Sequence, residues 1–293
     1  MGLGEFCALA CAIVWACAVI LYTRLGDKMP AFELNLSKNT IGLVLLVITT
    51  LLVEGFQLPQ MILSHWLLLI FSGLIGIALA DTLYMQTLNK IGAGNTGIVA
   101  ALYSPFVVII SMLYLDEQLK LWHLAGLALV LAGILLVSFE KRSTHISRQD
   151  LWSGILLGAC SVFLTALGVV LIKPILEQQP FFTVSSIRLL AGVAGMILYA
   201  ALLRRLPQVK QELSKPHNWK AITLSGFLGA YLAMILWLAG FKYTDASIAA
   251  ILNETNSIFI ILLAWLILKE PLSKRKMGGV TLTLTGVGVI IFS

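Results

Sequence analysis

The chain has 293 residues, of which 59% are hydrophobic and only 12% charged. Such a composition lies far from a soluble globular mixture and leaves no stretch for a sizeable water-facing domain. The net charge of +6 would suit nucleic acid, but the bases sit in alternate loops of an apolar chain, where they set topology instead.

Ten apolar stretches are long enough to cross a bilayer, which takes about 20 residues each. They run over roughly 3–23, 31–53, 66–88, 94–115, 122–139, 153–172, 182–203, 220–241, 247–268 and 277–292. The runs are too long for strands and lack period-two alternation, so the expected class is an all-α integral membrane protein of ten transmembrane helices. The first span carries Trp15 at its middle and has neither a basic leader nor a small-residue cleavage site, so it is expected to stay in place. Arg24, Lys28, Lys90, Arg148, Arg204, Arg205, Lys210 and Lys220 all fall in odd-numbered loops, whereas the even-numbered loops hold only Lys120, Lys173 and Lys242. The positive-inside rule therefore places the odd loops in the cytoplasm and both termini outside, in a plasma (bacterial inner) membrane. Membrane lipids are the expected surroundings, anionic headgroups among them, and nucleic acid is not an expected partner.

The second half repeats the first. Residues 66–133 overlay 219–286 at one fixed offset without a gap. Trp66 falls on Trp219, Gly73 on Gly226, Gly76 on Gly229, Phe106 on Phe259, Glu117 on Glu270 and Gly133 on Gly286. A register three residues shorter places Phe32 on Phe182, Lys38 on Arg188 and Gly42 on Gly192. The expected units are 1–143 and 144–293, joined by the polar linker EKRSTHISRQD from Glu140 to Asp150. Five spans per unit is an odd number, so the second unit enters the membrane upside down, and the two form an inverted repeat. A repeat of this kind marks transporters more than enzymes or scaffolds.

Within the spans, Gly126 and Gly133 share one face of the fifth, and Gly279 and Gly286 one face of the tenth. Small residues permit close helix approach. The same faces offer a way to bring two copies together, so monomer and homodimer both stay open. Pro105 lies mid-way along the fourth span and is expected to kink it, whereas the equivalent position in the ninth is Ile258. Cys7, Cys11, Cys17 and Cys160 are too few and too deep for a disulfide framework and have no histidine beside them, so they read as packing residues. No metal and no cofactor are expected.

Ionisable groups inside a bilayer each cost about 2.5–3.5 kcal/mol on insertion scales and so demand a reason. Four are present: Lys38, Asp81, Arg188 and Glu254. Depth along the spans matches Lys38 with Asp81 and Arg188 with Glu254, which predicts two ion pairs near opposite faces. Only the bases are repeated: Asp81 falls on Met234 and Glu254 on Ala101. The acids are therefore favoured as substrate or proton sites. The segment Asn253-Glu254-Thr255-Asn256-Ser257 is too polar to face lipid. Asn253 and Asn256 are expected to line a cavity, with Tyr103 on the opposite wall. Trp15, Tyr84 and Trp237 are expected as its aromatic sides. Glu117 and Glu270, just past helix ends, read as local caps or interfacial salt bridges.

Each fourth helix ends in an apolar run and a glutamate, LYLDEQL at 113–119 and LILKEPL at 266–272. Each is followed by a glycine-bearing last helix, and the first helix carries AIVWA at 12–16. With the five-plus-five repeat, these features make the chain resemble the drug/metabolite transporter superfamily, in its EamA branch. The resemblance covers essentially the whole chain. It implies an alternating-access secondary carrier of small metabolites, often an exporter of amino acids or related compounds. Family members are often drawn with cytoplasmic termini, the reverse of the orientation these charges give.

An enzyme is disfavoured. His65, His123, His145 and His217 are scattered in or beside loops, and neither a phosphate-binding glycine loop nor a nucleophile elbow is present. A channel-like or lipid-handling membrane subunit without coupled transport is the alternative. No nucleotide-binding motif is present, so a carrier would run on a proton or solute gradient or on the membrane potential, with protons the candidate coupling ion at Asp81 and Glu254.

Overall fold

The computed structural model describes residues 2–26, 28–55, 59–138, 147–268 and 274–292. The boundary expected at 143–144, the first part of the linker and Glu270 lie outside them. Among the described residues every regular element is helical. Six of the described helices are long and apolar enough to cross a membrane: α1 (Leu3–Gly26), α2 (Ala31–Val53), α3 (Leu63–Gly92), α6 (Arg148–Gln178), α7 (Phe181–Leu202) and α9 (Trp219–Tyr243). Shorter helices complete the bundle: α4 (Tyr103–Tyr114), α5 (Leu121–Ser138), α8 (Leu206–Leu213), α10 (Ala246–Asn253), α11 (Asn256–Leu268) and α12 (Lys274–Ile291). Large apolar side chains such as Leu52, Leu113 and Leu202 stay exposed on its outside. A surface of that kind needs lipid around it, and the chain is an integral membrane protein.

Two elements depart from the sequence expectation. α6 begins at Arg148, inside the polar linker, because Ser147 caps it: its Oγ accepts from Asp150 N at 3.0 Å. The stretch after α7, read as a loop, contains α8, which buries Val209 against the bundle.

The fourth and ninth spans are both discontinuous. Gly92, at φ 76°, ends α3 and turns the chain into a helical stretch over 93–100. That backbone region is open to glycine at little cost. A turn at Ala101–Leu102 then separates this stretch from α4, and a turn at Glu254–Thr255 separates α10 from α11. The two breaks fall at equivalent points of the repeat. The expectation that the proline-bearing span bends and its counterpart does not is therefore corrected. Pro105 lacks the N–H that would bond Ala101 O. In the second half, side chains compete for the backbone instead: Thr255 Oγ1 donates to Leu252 O at 2.7 Å, and Asn253 Nδ2 to Ala249 O at 3.0 Å.

A second irregularity is also repeated. Wide π-helical turns occupy Leu74–Ala80 in α3 and Gly226–Ala233 in α9. Such turns disturb the regular backbone ladder, and in a membrane freed carbonyls must find donors. Ser161 Oγ donates to Ala80 O at 2.7 Å, and Cys11 Sγ to Ala233 O at 3.3 Å. Cys11 and Ser161 are themselves equivalent in the shorter register. Cys11 is thus a donor as well as a packing residue. Asn35 Nδ2 adds a bond to Ile77 O at 3.0 Å.

The halves touch reciprocally. A Cβ on Gly73 would strike the backbone carbonyl of Arg188, and one on Gly226 would come within 3.1 Å of Lys38 O. Gly42 packs on Ala230 and Gly192 on Ile77, an exchange of equivalent partners. Reciprocity of this kind is what surfaces related by a two-fold axis produce. In α5 and α12, a Cβ on Gly126 would lie 2.9 Å from Gly286 O and one on Gly133 2.7 Å from Gly279 O. These glycine faces are filled within one chain, so they no longer offer the route to a homodimer that the sequence suggested.

Glu117 and Glu54 lace the halves at helix starts. Glu117 accepts from Ala246 N at 2.7 Å, Ser247 N at 3.1 Å and Ser247 Oγ at 2.7 Å. It caps α10, far away in sequence, rather than its own neighbourhood. Glu54 likewise accepts from Phe182 N, Thr183 N and Thr183 Oγ at the start of α7. A carboxylate at a helix start satisfies free N–H groups and complements the helix dipole. Lys173 Nζ donates to Phe241 O and Thr244 O at 2.8 and 2.9 Å, and Lys242 Nζ to Leu176 O, which satisfies carbonyls at helix ends.

Candidate functional site

The irregular segments surround a cavity of about 180 Å³ in the middle of the bundle. That is well above the ~10–15 Å³ that holds one water. All ten residues singled out from the sequence line it: Trp15 from α1, Lys38 from α2, Asp81 and Tyr84 from α3, and Tyr103 from α4. Arg188 comes from α7, Trp237 from α9, and Asn253, Glu254 and Asn256 flank the break between α10 and α11. The π turns and breaks place several of them. Asp81 follows the first π turn directly, Tyr103 opens the helix after the first break, and Asn253 to Asn256 bracket the second.

Lys38 and Asp81 form the expected pair, Nζ to Oδ2 at 2.6 Å. The ammonium is 2% exposed and the carboxylate 27%, so the acid is the more open member of the pair. Lys38 also lies 5.5 Å from the centre of the Tyr22 ring. The second expected pair is not formed. Arg188 Nε donates to Ser72 Oγ at 2.8 Å, and its guanidinium lies over Trp237 at 5.2 Å. Glu254 Oε1 accepts instead from Ser104 N at 3.2 Å, an N–H that the break in the fourth span has freed. Matching depths put Arg188 and Glu254 at one level but said nothing of their direction around the bundle. Nor are the pairs on opposite faces: both acids and both bases ring the same cavity.

The aromatic sides are tied together. Trp237 Nε1 donates to Tyr103 OH at 3.1 Å. Trp15 and Tyr84 lie 6.5 Å apart, and Trp15 meets Tyr22 edge-on at 6.0 Å. Sequence reasoning missed Cys11, Asn39, Ser161 and Thr165 among the lining residues. Their signal was the repeat itself, since Cys11 and Ser161 are equivalent and each serves a π turn. The cavity thus offers cationic, anionic, amide and aromatic groups on one set of walls. Among the described residues there is no cluster of histidine, cysteine and acids that would hold a metal.

The sequence profile of the EamA-like transporter family matches residues 2–139 and 152–292. An uncharacterized transporter of Methanothermobacter thermautotrophicus is 23% identical over 231 residues, which cover 78% of this chain and 66% of that protein. An uncharacterized transporter of Archaeoglobus fulgidus is 21% identical over 286 residues, 97% of this chain and 96% of that one. A solved crystal structure superposes with a TM-score of 0.79 at 20% identity over 99% of this chain and 96% of its own, and so shares the fold.

Proposed function

The chain belongs to the EamA-like transporter family, and we propose that this membrane transporter is a secondary carrier that exports small amphiphilic metabolites, amino acids or related compounds, by alternating access. The observation that carries this reading is a cavity lined from both halves at equivalent irregularities of the backbone. Discontinuous helices at mid-membrane supply backbone and side-chain polar groups to a solute where continuous helices could not. Trp15, Tyr84, Tyr103 and Trp237 would hold the apolar body of the solute, and Asn253 and Asn256 its polar groups. The reciprocal glycine contacts support two units related upside down, which would let either face close by the same motion. Asp81 and Glu254 are the proposed proton-coupling groups, being the two carboxylates on the cavity wall.

Reconstitution in liposomes tests this. Counter-flow of an internal amino-acid pool should accelerate uptake of the labelled compound and saturate with its concentration. Flux that rises linearly without counter-flow stimulation would identify a channel. Glu254→Gln should flatten the response to an imposed pH gradient. A variant that follows the gradient as the wild type does would remove Glu254 from coupling.

A further inference from the structure

A buried cation in a membrane protein ordinarily finds a counter-charge. Lys38 has one in Asp81. Arg188, at the equivalent place in the other half and 2% exposed, has none in contact: it forms no direct ion pair with any described carboxylate. The residue that would repeat Asp81 is Met234, so the second half has no acid at the position that pairs with the base in the first.

The guanidinium is nevertheless held firmly. Nε is fixed by Ser72 Oγ at 2.8 Å. One face lies over the Trp237 indole. Gly73 lets the backbone at Arg188 sink against the first π turn, and Gly76 leaves space for a terminal nitrogen, which a Cβ there would approach to 2.9 Å. Arg188 lines the cavity, and its terminal nitrogens have no hydrogen-bond partner among the described residues. A fixed fork of two free N–H groups matches the geometry of a carboxylate, which it binds bidentately.

We propose that Arg188 is the carboxylate-binding group of the cavity, so that the solute is a small amphiphile bearing one carboxylate, its apolar body against Trp237 and Tyr103. The proposal rests on reading the cavity as a carrier's substrate site. Bound solute supplies the counter-charge that Met234 does not. Lys38 is already held by Asp81 and Glu254 is taken up by Ser104 N, so Arg188 is the cavity cation left without a direct partner, and one carboxylate on the solute pairs with it. A phosphate dianion would bring a second charge into the bundle with no partner.

The test uses the full-length protein in detergent, with a panel of amino acids and simple monocarboxylic acids set against their own amides. Thermal shift reads binding. The fluorescence difference between wild type and Trp237→Phe reads the seat of the guanidinium, since a carboxylate drawing Arg188 off the indole changes its emission. Carboxylates should stabilise the wild type, and their amides should not. Arg188→Lys keeps the charge but loses the fork and should weaken carboxylate binding roughly tenfold or more. Arg188→Gln should abolish it. If Arg188→Gln does not fold, Gly76→Ala, which displaces the terminal nitrogen, should weaken the same ligands with the same preference. Acids and amides that bind alike, or Arg188→Lys that binds carboxylates as wild type does, would overturn the assignment. Saturable flux of a compound without a carboxylate, unchanged in Arg188→Lys, would keep the carrier and refute the carboxylate site. Arg188-dependent binding of carboxylates without saturable flux would keep the site and refute the carrier. Absence of both binding and flux would refute both.

Discussion

Lys38 in the first half and Arg188 in the second fall on the same position of the repeat, and both are buried to the same 2%. Around Lys38 the chain closes a short ion pair with Asp81. Around Arg188 it builds a hydroxyl, an indole face and two glycines, and no acid. The acid of the second half, Glu254, instead reaches across to a backbone N–H of the first. The two halves thus share helix breaks and glycine contacts at matching positions of the sequence repeat, while their charged groups differ. The first half holds a locked pair, and the second presents separated charges to the cavity.

The largest effect should come from breaking the locked pair. Asp81→Asn leaves the Lys38 ammonium buried with only an amide beside it. Removing one partner of a buried pair costs about 3–5 kcal/mol, because the other charge stays uncompensated. Thermal unfolding of the purified variant should show that loss, and adding Lys38→Met should recover most of it. If Asp81→Asn alone is as stable as wild type, the pair is not what holds α2 to α3.

Next in size is the cap that ties the halves together. Glu117→Gln keeps the shape but removes the charge that serves two N–H groups and a hydroxyl at the start of α10. Hydrogen bonds to a charged group contribute about 1.5–3 kcal/mol, and the amide retains a share of that. Hydrogen exchange at Ala246 and Ser247 should rise before the rest of α10. Unchanged protection there would show that the cap is dispensable. Glu254→Gln sharpens the comparison from the other side. Its carboxylate has no cationic partner among the described residues, so the same acid-to-amide change that unlocks Lys38 should cost under ~1 kcal/mol here, roughly the worth of a single neutral hydrogen bond. A loss as large as that of Asp81→Asn would mean that Glu254 is locked as well.

Sequence carried much of this picture because the membrane makes polarity expensive. A lysine, an arginine, two acids and two asparagines in the middle of apolar spans have few places to go except an interior cavity, and all six line it. The lysine–aspartate pair was legible for the same reason. Arg188 with Glu254 was not, because rise per residue gives a level along the membrane normal but no direction around the bundle. Ser72, the actual partner of Arg188, looked like one more small residue in an apolar run. The helix starts capped by Glu54 and Glu117 depend on contacts over a hundred residues apart, which local motifs do not encode. The π turns were hidden because Leu74–Ala80 is as apolar as any regular helix. Their only trace was glycine recurring at equivalent places.

The smallest effect is expected at the residue that drew most attention in the fourth span. Pro105 and Ile258 are equivalent, and both spans break. In the second half the break stands on Thr255 and Asn253 bonding to the backbone. In the first, Pro105 removes one N–H, while Glu254 Oε1 takes up another, that of Ser104. If both halves are shaped by the cavity rather than by the proline, Pro105→Ala changes little. The alanine N–H gains the option of bonding Ala101 O, but closing that turn would draw Ser104 N away from Glu254 and leave a buried carboxylate oxygen without its donor. The expected change in stability is within ~1 kcal/mol, and ligand-induced thermal shifts should match wild type. A proline confined in a helix interior costs ~3 kcal/mol. A gain of that size in Pro105→Ala, with binding lost, would mean that the proline alone had been holding the fourth span open.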